Sequence, residues 1–180
     1  MPIRSYQQYL PKIPTTSYVD EMAVIIGNVT LGEDCSIWPF ACLRGDVQAI
    51  HIGDRTNIQD GCVLHVTHDS IYHPGGKALY VGNDVTIGHK VTLHACTISD
   101  NCIIGMSAVV LDGAIIQSDV ILGAGSLVPP GKILEKGYLW VGQPAVKKRA
   151  LTEQELAFIR YSAASYVSLK NTYLYHDDAS

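Results

Sequence analysis

Histidines are the residues of this sequence whose spacing points most directly to chemistry. The chain contains seven: His51, His65, His68, His73, His89, His94 and His176. Neutral imidazole binds divalent metals well, and three imidazoles that leave one coordination position open form a catalytic zinc-type arrangement. His65 follows Leu64 and His94 follows Leu93, so both occupy the same place in a repeated aliphatic pattern.

An aliphatic residue every six positions defines the elements that must position these histidines. The recurring residues are Leu31, Ile37, Leu43, Ile52, Ile58, Leu64, Val81, Ile87, Leu93, Ile98, Ile104, Val110, Ile116, Leu122 and Val128. This period fits neither an α-helix nor the alternation of a strand, but three six-residue sides make one turn of a parallel β-helix. The sequence therefore predicts an all-β, left-handed parallel β-helix over about residues 15–131, within a single domain of residues 1–180. An ordinary β-sandwich is the alternative, and five coils in one register argue against it.

Two interruptions of the repeat mark where the chain leaves the coil. The step from Leu43 to Ile52 is nine residues, which places a short excursion between them. The step from Leu64 to Val81 is seventeen residues, which predicts a protruding loop near residues 66–79. Loops that leave a rigid scaffold often carry function.

A helix is predicted over about residues 152–172, after the coils. Thr152 can cap it, and Glu155 completes a capping box. Apolar and long side chains follow one stripe of this helix, at Leu156, Ile159, Ala163, Tyr166 and Lys170. We expect the helix to pack along the β-helix.

The repeat brings two of the histidines together. The separation of His65 and His94 in sequence equals one turn of the coil plus the eleven inserted positions of the loop. Their side chains should stack about 4.8 Å apart, close enough to share one metal ion. His89 lies on the preceding side of the same turn as His94 and across a corner, so it could complete such a site only from another subunit. The alternative is a row of stacked polar residues at a subunit interface.

Polar residues surround this predicted site. Arg44 occupies the same column one turn earlier, and Asn57, Gln59 and Asp60 lie one side before the first histidine. Their amide and carboxylate groups could orient a metal-bound water or support the ligands. Asp46 and Asp60 could equally form ion pairs with Arg44 across subunits.

Charge and hydropathy exclude several classes of protein. The formal net charge is -4 and no run of basic residues occurs, which argues against a nucleic-acid partner. No apolar stretch is as long as a membrane-spanning helix requires. The first ten residues lack an apolar signal core, so the expected location is the cytoplasm.

The ordered motifs carry a family resemblance. They are Arg44-Gly45-Asp46, Asn57-Ile58-Gln59-Asp60-Gly61, Leu64-His65, Ile87-Gly88-His89, Leu93-His94, Ile104-Gly105-Met106 and Gly142-Gln143-Pro144-Ala145. This set resembles the gamma-class carbonic anhydrase family over about residues 8–173. The resemblance is strongest to its short-loop bacterial branch of YrdA-like and PaaY-like proteins.

That resemblance implies a homotrimer with one divalent metal at each interface. His65 and His94 would come from one chain and His89 from its neighbour. The metal would be zinc in the first instance, with iron or cobalt as alternatives. Gln59 and Asn57 would lie beside the metal-bound water.

The same resemblance implies roles for other residues, and two positions depart from the family pattern. Arg44 and Asp60 would stabilise the trimer. Val47 and His68 stand where the best-known members carry glutamates, the second of them a proton carrier. A helix tyrosine approaches the metal in the short-loop branch, and Tyr166 is the best match.

The predicted function is reversible hydration of carbon dioxide to bicarbonate by a metal-bound hydroxide, which makes the protein a lyase. His68 could export the proton, since the pKa of an unperturbed imidazole is about 6.5. One alternative is an acyl-CoA thioesterase or acyltransferase on the same fold. The other is a non-catalytic accessory trimer that binds a metal or a siderophore.

Overall fold

Short parallel strands wind around one axis in the computed structural model of the protein, which describes residues 3–175. His176 lies outside the described residues. The fold is the predicted left-handed parallel β-helix followed by one C-terminal helix. The strands are β1 (Ile3–Arg4), β2 (Tyr18–Val19), β3 (Val24–Leu31), β4 (Ser36–Ile37), β5 (Cys42–Ile52), β6 (Asn57–Ile58), β7 (Val63–His65), β8 (Leu79–Val81), β9 (Thr86–Ile87), β10 (Thr92–His94), β11 (Thr97–Ile98), β12 (Ile103–Ile104), β13 (Val109–Val110), β14 (Ile115–Ile116), β15 (Ile121–Leu122), β16 (Leu127–Val128), β17 (Ile133–Leu134), β18 (Tyr138–Gly142) and β19 (Ala145–Ala150). The helix is α1 (Glu153–Leu174).

The coil has three faces, which we name by what they carry. The helix face consists of β2, β4, β6, β9, β12, β15 and β18 in that order. The His65 face starts with the first half of β5 and continues through β7, β10, β13 and β16. The Tyr80 face starts with the second half of β5 and continues through β8, β11, β14 and β17. Because β3 pairs along both halves of β5, the last two faces form one continuous sheet.

The six-residue repeat sets the register of these strands, as predicted. On the His65 face, Leu43 pairs with Leu64, Leu64 with Leu93, and Leu93 with Val110. All four side chains are fully buried. Burying an aliphatic side chain of this size stabilises the fold by about 1.5–3 kcal/mol, so stability accumulates turn by turn.

The predicted excursion after Leu43 takes the form of a bulge within β5, which runs as one strand to Ile52. Gly45 pairs with Gly27 and Ile50 pairs with Val29, so residues 46–49 lie opposite the single residue Asn28. Gly27 has a φ of +78° there, and a Cβ atom at this position would collide with the carbonyl oxygen of Gly45. Glycine is therefore required where the two long strands approach most closely.

The coil extends further than the predicted end at residue 131. Ile133 pairs with Ile115, and Leu139 pairs with Ile121, both in parallel. The prolines at 129–130 had indicated a terminus, but they lie at a corner, where a missing N–H costs no ladder hydrogen bond. A corner in the coil therefore tolerates prolines that would stop an ordinary strand.

Added strands cover edges of the sheets at both ends of the coil. At the C-terminal end, β19 runs antiparallel to β18, and its residues after Ala145 are exposed, among them Lys147, Lys148 and Arg149. At the N-terminal end, β1 pairs with the outer edge of β3.

The C-terminal helix forms as predicted and packs on the helix face, against β2, β4 and β9. Thr152 caps it, and the reciprocal capping box with Glu155 is complete. Ile159, Ala163 and Lys170 on the predicted stripe are buried. The Lys170 Nζ atom lies 2.9 Å from an Asp34 oxygen at a corner of the coil, which ties the end of the helix to the coil. Within residues 3–175, no helix combines the length and the apolar character needed to cross a membrane.

The start of α1 should depend on pH through Glu155. Hydrogen bonds from the Arg149 guanidinium and the Thr152 main-chain N–H lower the pKa of Glu155 to about 2, from a usual value near 4.5. Because the folded pKa is the lower one, this contribution to stability is present above about pH 4.5 and is lost as the pH falls towards 2. We expect Glu155→Gln to remove this part of the acid dependence.

Melting temperatures from circular dichroism across this pH range test the prediction. Glu153→Gln, in the same helical turn, is the matched control. Identical pH profiles for Glu155→Gln and the unmodified protein would contradict the assignment.

Candidate metal centre

Two histidines on neighbouring strands face each other, as the repeat arithmetic predicted. His65 ends β7, His94 ends β10, and the two residues are directly paired in the parallel register. Their ring centroids are 5.2 Å apart, and His65 Nδ1 lies 3.2 Å from His94 Nε2. Both rings are partly buried, with 21% and 34% of the side chains exposed.

Each of these rings has an aspartate on its other nitrogen. Asp46 Oδ1 lies 3.1 Å from His65 Nε2, and Asp112 Oδ1 lies 2.6 Å from His94 Nδ1. An ionised carboxylate can only accept hydrogen bonds, so the ring nitrogens that face these oxygens must carry the hydrogen atoms.

The surroundings keep both carboxyls ionised. Partial burial alone would raise the pKa of Asp46, but hydrogen bonds from Arg44 and His65 outweigh it and hold that pKa below its usual value. Burial alone would likewise raise the pKa of Asp112, but hydrogen bonds from Thr67 and His94 lower that pKa below its usual value. Burial lowers the pKa of His65 despite the opposing hydrogen bond to Asp46, which favours the neutral ring at pH 7.

The resulting donor set fits a metal cation. Because both outer N–H groups are directed at aspartates, the two facing nitrogens present lone pairs when the rings are neutral. Lone pairs held 3.2 Å apart repel unless a proton or a cation lies between them. Imidazoles that donate their second nitrogen to a carboxylate are the usual form of metal-bound histidine. His65 and His94 therefore have the tautomers and the proximity that a shared metal ion requires.

His89 lies on a different face of the coil. It follows β9 on the helix face, and its side chain is 45% exposed. His89 Nδ1 lies 2.9 Å from Asp60 Oδ2, so it too has one nitrogen on an aspartate. Among residues 3–175 of one chain, no three His, Cys, Asp or Glu side chains are grouped as a metal ion would require. The candidate ligands of one chain therefore form two partial sets, one on each face.

A row of polar hydrogen bonds lies beside His89 on the helix face. Gln59 Nε2 donates to Asn57 Oδ1 at 3.1 Å, and Asn57 Nδ2 donates to Thr86 Oγ1 at 3.0 Å. Thr86 Oγ1 is 2.9 Å from Ser162 Oγ on α1. This chain of contacts fixes the orientation of the nearly buried Gln59 amide.

A groove of about 170 Å3 runs along the same face, between the coil and α1. Its lining is mostly apolar and consists of Gln59, Thr86, Gly88, Ile103, Ile104, Gly105, Met106, Phe158 and Ser162. The groove adjoins the fixed Gln59 amide and is large enough for a small molecule.

Tyr166 also belongs to the helix face. Its ring packs edge-on against Trp38, with centroids 5.8 Å apart, as expected of a residue that holds the helix on the coil. Burial raises the pKa of the Tyr166 phenol, and the charge of Asp60 raises it further. Tyr166 therefore lies near Asp60, the residue that contacts His89.

Arg44 and Asp46 lie on the His65 face, where they form an ion pair, whereas Asp60 contacts His89 on the helix face. His68 is exposed on the loop between β7 and β8, and none of the hydrogen bonds described above involves it.

Sequence reasoning did not find Asp112, Thr67 or Ser162. A signal for the first was present in the spacing, because Asp112 follows His94 by eighteen residues, one more than separate Leu93 from its strand partner Val110. Asp46 lies two positions after Arg44, which precedes His65 by one turn. Thr67 and Ser162 have no such periodic signal.

Comparisons with known proteins agree with this fold. The family described as bacterial transferase hexapeptide (six repeats) matches residues 95–130. Protein YrdA of Escherichia coli is 51% identical over 172 residues, which cover 96% of this chain and 94% of YrdA. The mitochondrial gamma carbonic anhydrase 2 of Arabidopsis thaliana is 38% identical over 161 residues, which cover 88% of this chain and 57% of that protein. The crystal structure of a hexapeptide transferase family protein from Anaplasma phagocytophilum has a TM-score of 0.88 at 39% identity, covering 95% of this chain and 97% of that one.

A coil of six-residue repeats defines a hexapeptide-repeat β-helix protein. Within that class, the chain belongs to the family of YrdA-like proteins and gamma carbonic anhydrases. The resemblance seen in the ordered motifs is thereby confirmed.

Proposed function

We propose that the protein is a metal-dependent, gamma-type carbonic anhydrase of the cytoplasm that interconverts carbon dioxide and bicarbonate. The observation that carries this proposal is the pair of facing nitrogens of His65 and His94, each ring anchored to an aspartate. Similarity to plant gamma carbonic anhydrases supports it further.

The proposed metal site is shared between copies of the chain. His65 and His94 hold the cation from one copy, and His89 binds it from the next. Because the two partial sites lie on different faces, the contact is head-to-tail, and a closed ring of three such contacts is a homotrimer. Three neutral imidazoles suit zinc first, with iron or cobalt as alternatives.

A cation held there would supply Lewis acidity, which would lower the pKa of a water molecule to about 7 and so provide a nucleophile at neutral pH. The residues of the chain place the reactants. Gln59 donates to Asn57, so its carbonyl oxygen remains available to accept a hydrogen bond from the attacking water. The apolar groove beside Gln59 is suited to a small uncharged substrate such as carbon dioxide.

Proton export is assigned to His68. Tyr166 is the second candidate, but its raised pKa keeps the phenol protonated at neutral pH. We expect His68→Ala to lower turnover about tenfold in dilute buffer, because no positioned imidazole then accepts the proton. Metal content should stay unchanged, and added imidazole should restore part of the rate.

Stopped-flow hydration assays with and without imidazole measure this effect. His73→Ala, on the same loop, is the matched control. Equal turnover for His68→Ala and the unmodified protein would show that Tyr166 or the buffer, and not His68, accepts the proton.

The proposed activity as a whole is tested on the purified protein after metal removal and reloading. We expect carbon dioxide hydration to disappear with chelation and to return with zinc, iron or cobalt. Hydrolysis of coenzyme A thioesters, assayed in parallel, distinguishes acyl chemistry at the same site. The absence of hydration in every metal-loaded form would overturn the proposal, and normal ligand binding without metal would favour an accessory role.

A further inference from the structure

We infer that Thr67 and Asp112 form a positioning relay that couples the base of the loop between β7 and β8 to His94. The relay holds the His94 ring in the tautomer that directs the lone pair of Nε2 towards His65. Its effect on metal affinity rests on the metal site proposed above, whereas its effect on the ring does not.

Asp112 is bonded through both of its oxygens. Oδ1 accepts from His94 Nδ1 at 2.6 Å, and Oδ2 accepts a short hydrogen bond from the Thr67 hydroxyl. The Thr67 side chain has little solvent exposure, so water competes poorly for that bond. A carboxylate held at both oxygens has little freedom to swing away from the ring.

Main-chain bonds fix Thr67 in turn. The Thr67 N–H donates to the Lys77 carbonyl at 3.0 Å, and the Lys77 N–H donates back at 2.9 Å. Further along the loop, Gln48 Nε2 donates to the Gly75 carbonyl at 2.9 Å. The loop is therefore closed at its base and attached to β5, and Thr67 presents its hydroxyl from a fixed position.

Asp112 approaches from the next turn of the coil. It follows β13, and its own carbonyl accepts from the Gly131 N–H at 2.9 Å. Two segments far apart in the sequence thus meet at one imidazole. Among the described residues, Asp46, the partner of His65, is instead bonded to Arg44. The hydrogen bonds of the loop base thus reach His94 through Asp112.

Metal affinity measured by competition with a chromophoric chelator tests the relay. We expect Asp112→Asn to weaken zinc binding about 10–100-fold, the usual cost of losing an outer partner of a metal-bound histidine. Thr67→Val, which removes only the hydroxyl, should weaken it less, and Thr67→Ser should restore it. Because Thr67 acts through Asp112, adding Thr67→Val to Asp112→Asn should cause no further loss. Asp84→Asn, which alters an exposed ion pair with Arg55, is the matched control.

A second measurement does not depend on metal. In the metal-free protein, 15N spectra of the histidine rings should show His94 as the Nδ1–H tautomer, with its signals assigned by their absence from His94→Gln. Asp112→Asn should shift that ring towards a mixture of tautomers, because an amide is a weaker acceptor and can present its own N–H2 group.

The two measurements separate this inference from the proposed function. An unchanged His94 tautomer in Asp112→Asn, or a Thr67→Val effect that persists in full on top of Asp112→Asn, would overturn the relay. An unmodified protein that binds no metal but shows the expected tautomer change would overturn the proposed function and leave the relay standing.

Discussion

His94→Ala should abolish metal binding and, with it, all hydration activity. The substitution removes one of the two facing nitrogens and leaves Asp112 without one of its two side-chain donors. Loss of a direct ligand should cost more than the about 10–100-fold that loss of an outer partner costs. The measurement is the ratio of metal to protein after dialysis, by mass spectrometry, with hydration followed on the same samples.

Two variants make this result specific. His51→Ala removes a histidine that stacks on Tyr80, on the face of the coil that carries none of the proposed ligands, and should keep its metal. Gln59→Ala should also keep its metal but should lose activity, because an amide oxygen orients water and does not replace an imidazole. A His94→Ala protein with full metal content would show that the ligands are wrongly assigned.

The second large effect is expected from His89→Ala, although this residue lies on another face from the other two ligands. In a closed trimer with shared sites, His89→Ala removes one ligand from every interface. Metal and activity should both be lost, while each chain retains an intact His65–His94 pair.

Mixing chains tests the sharing directly. When His89→Ala and His94→Ala chains are unfolded together and refolded, an interface is complete only where an intact His94 meets an intact His89. In an equal random mixture, about one quarter of the interfaces should regain metal and activity. A stable monomer with bound metal, or a mixture with no recovery despite trimer formation, would contradict the shared site.

The repeat made the central pair predictable because a solenoid is ordered mainly along one dimension. Counting residues per turn places His65 opposite His94 without knowledge of any distant contact, and the strands pair in that register. The same counting also sets the aliphatic core, since each column is filled by residues one turn apart.

Other parts of the site depend on information that the period does not contain. Asp112 lies in a corner, where the repeat specifies the turn but not the rotamer, so its contact with His94 required the side-chain positions. Trp38 and Tyr166 are far apart in sequence and meet only because α1 returns along the coil. The pairing of Arg44 with Asp46 rather than Asp60 within the chain also lies outside the period, because Asp46 belongs to the stretch between Gly45 and Ile50 where the register of β5 on β3 shifts.

The strands that cover the ends of the coil bear on how these molecules behave at high concentration. A stack of parallel turns with a bare terminal edge is a template on which another molecule can continue the hydrogen-bond ladder, giving filaments. Here the strand that carries Lys147, Lys148 and Arg149 runs in the opposite direction to the turn it covers, so it cannot continue the parallel register. The helix face is thereby closed to growth in that register at its C-terminal edge.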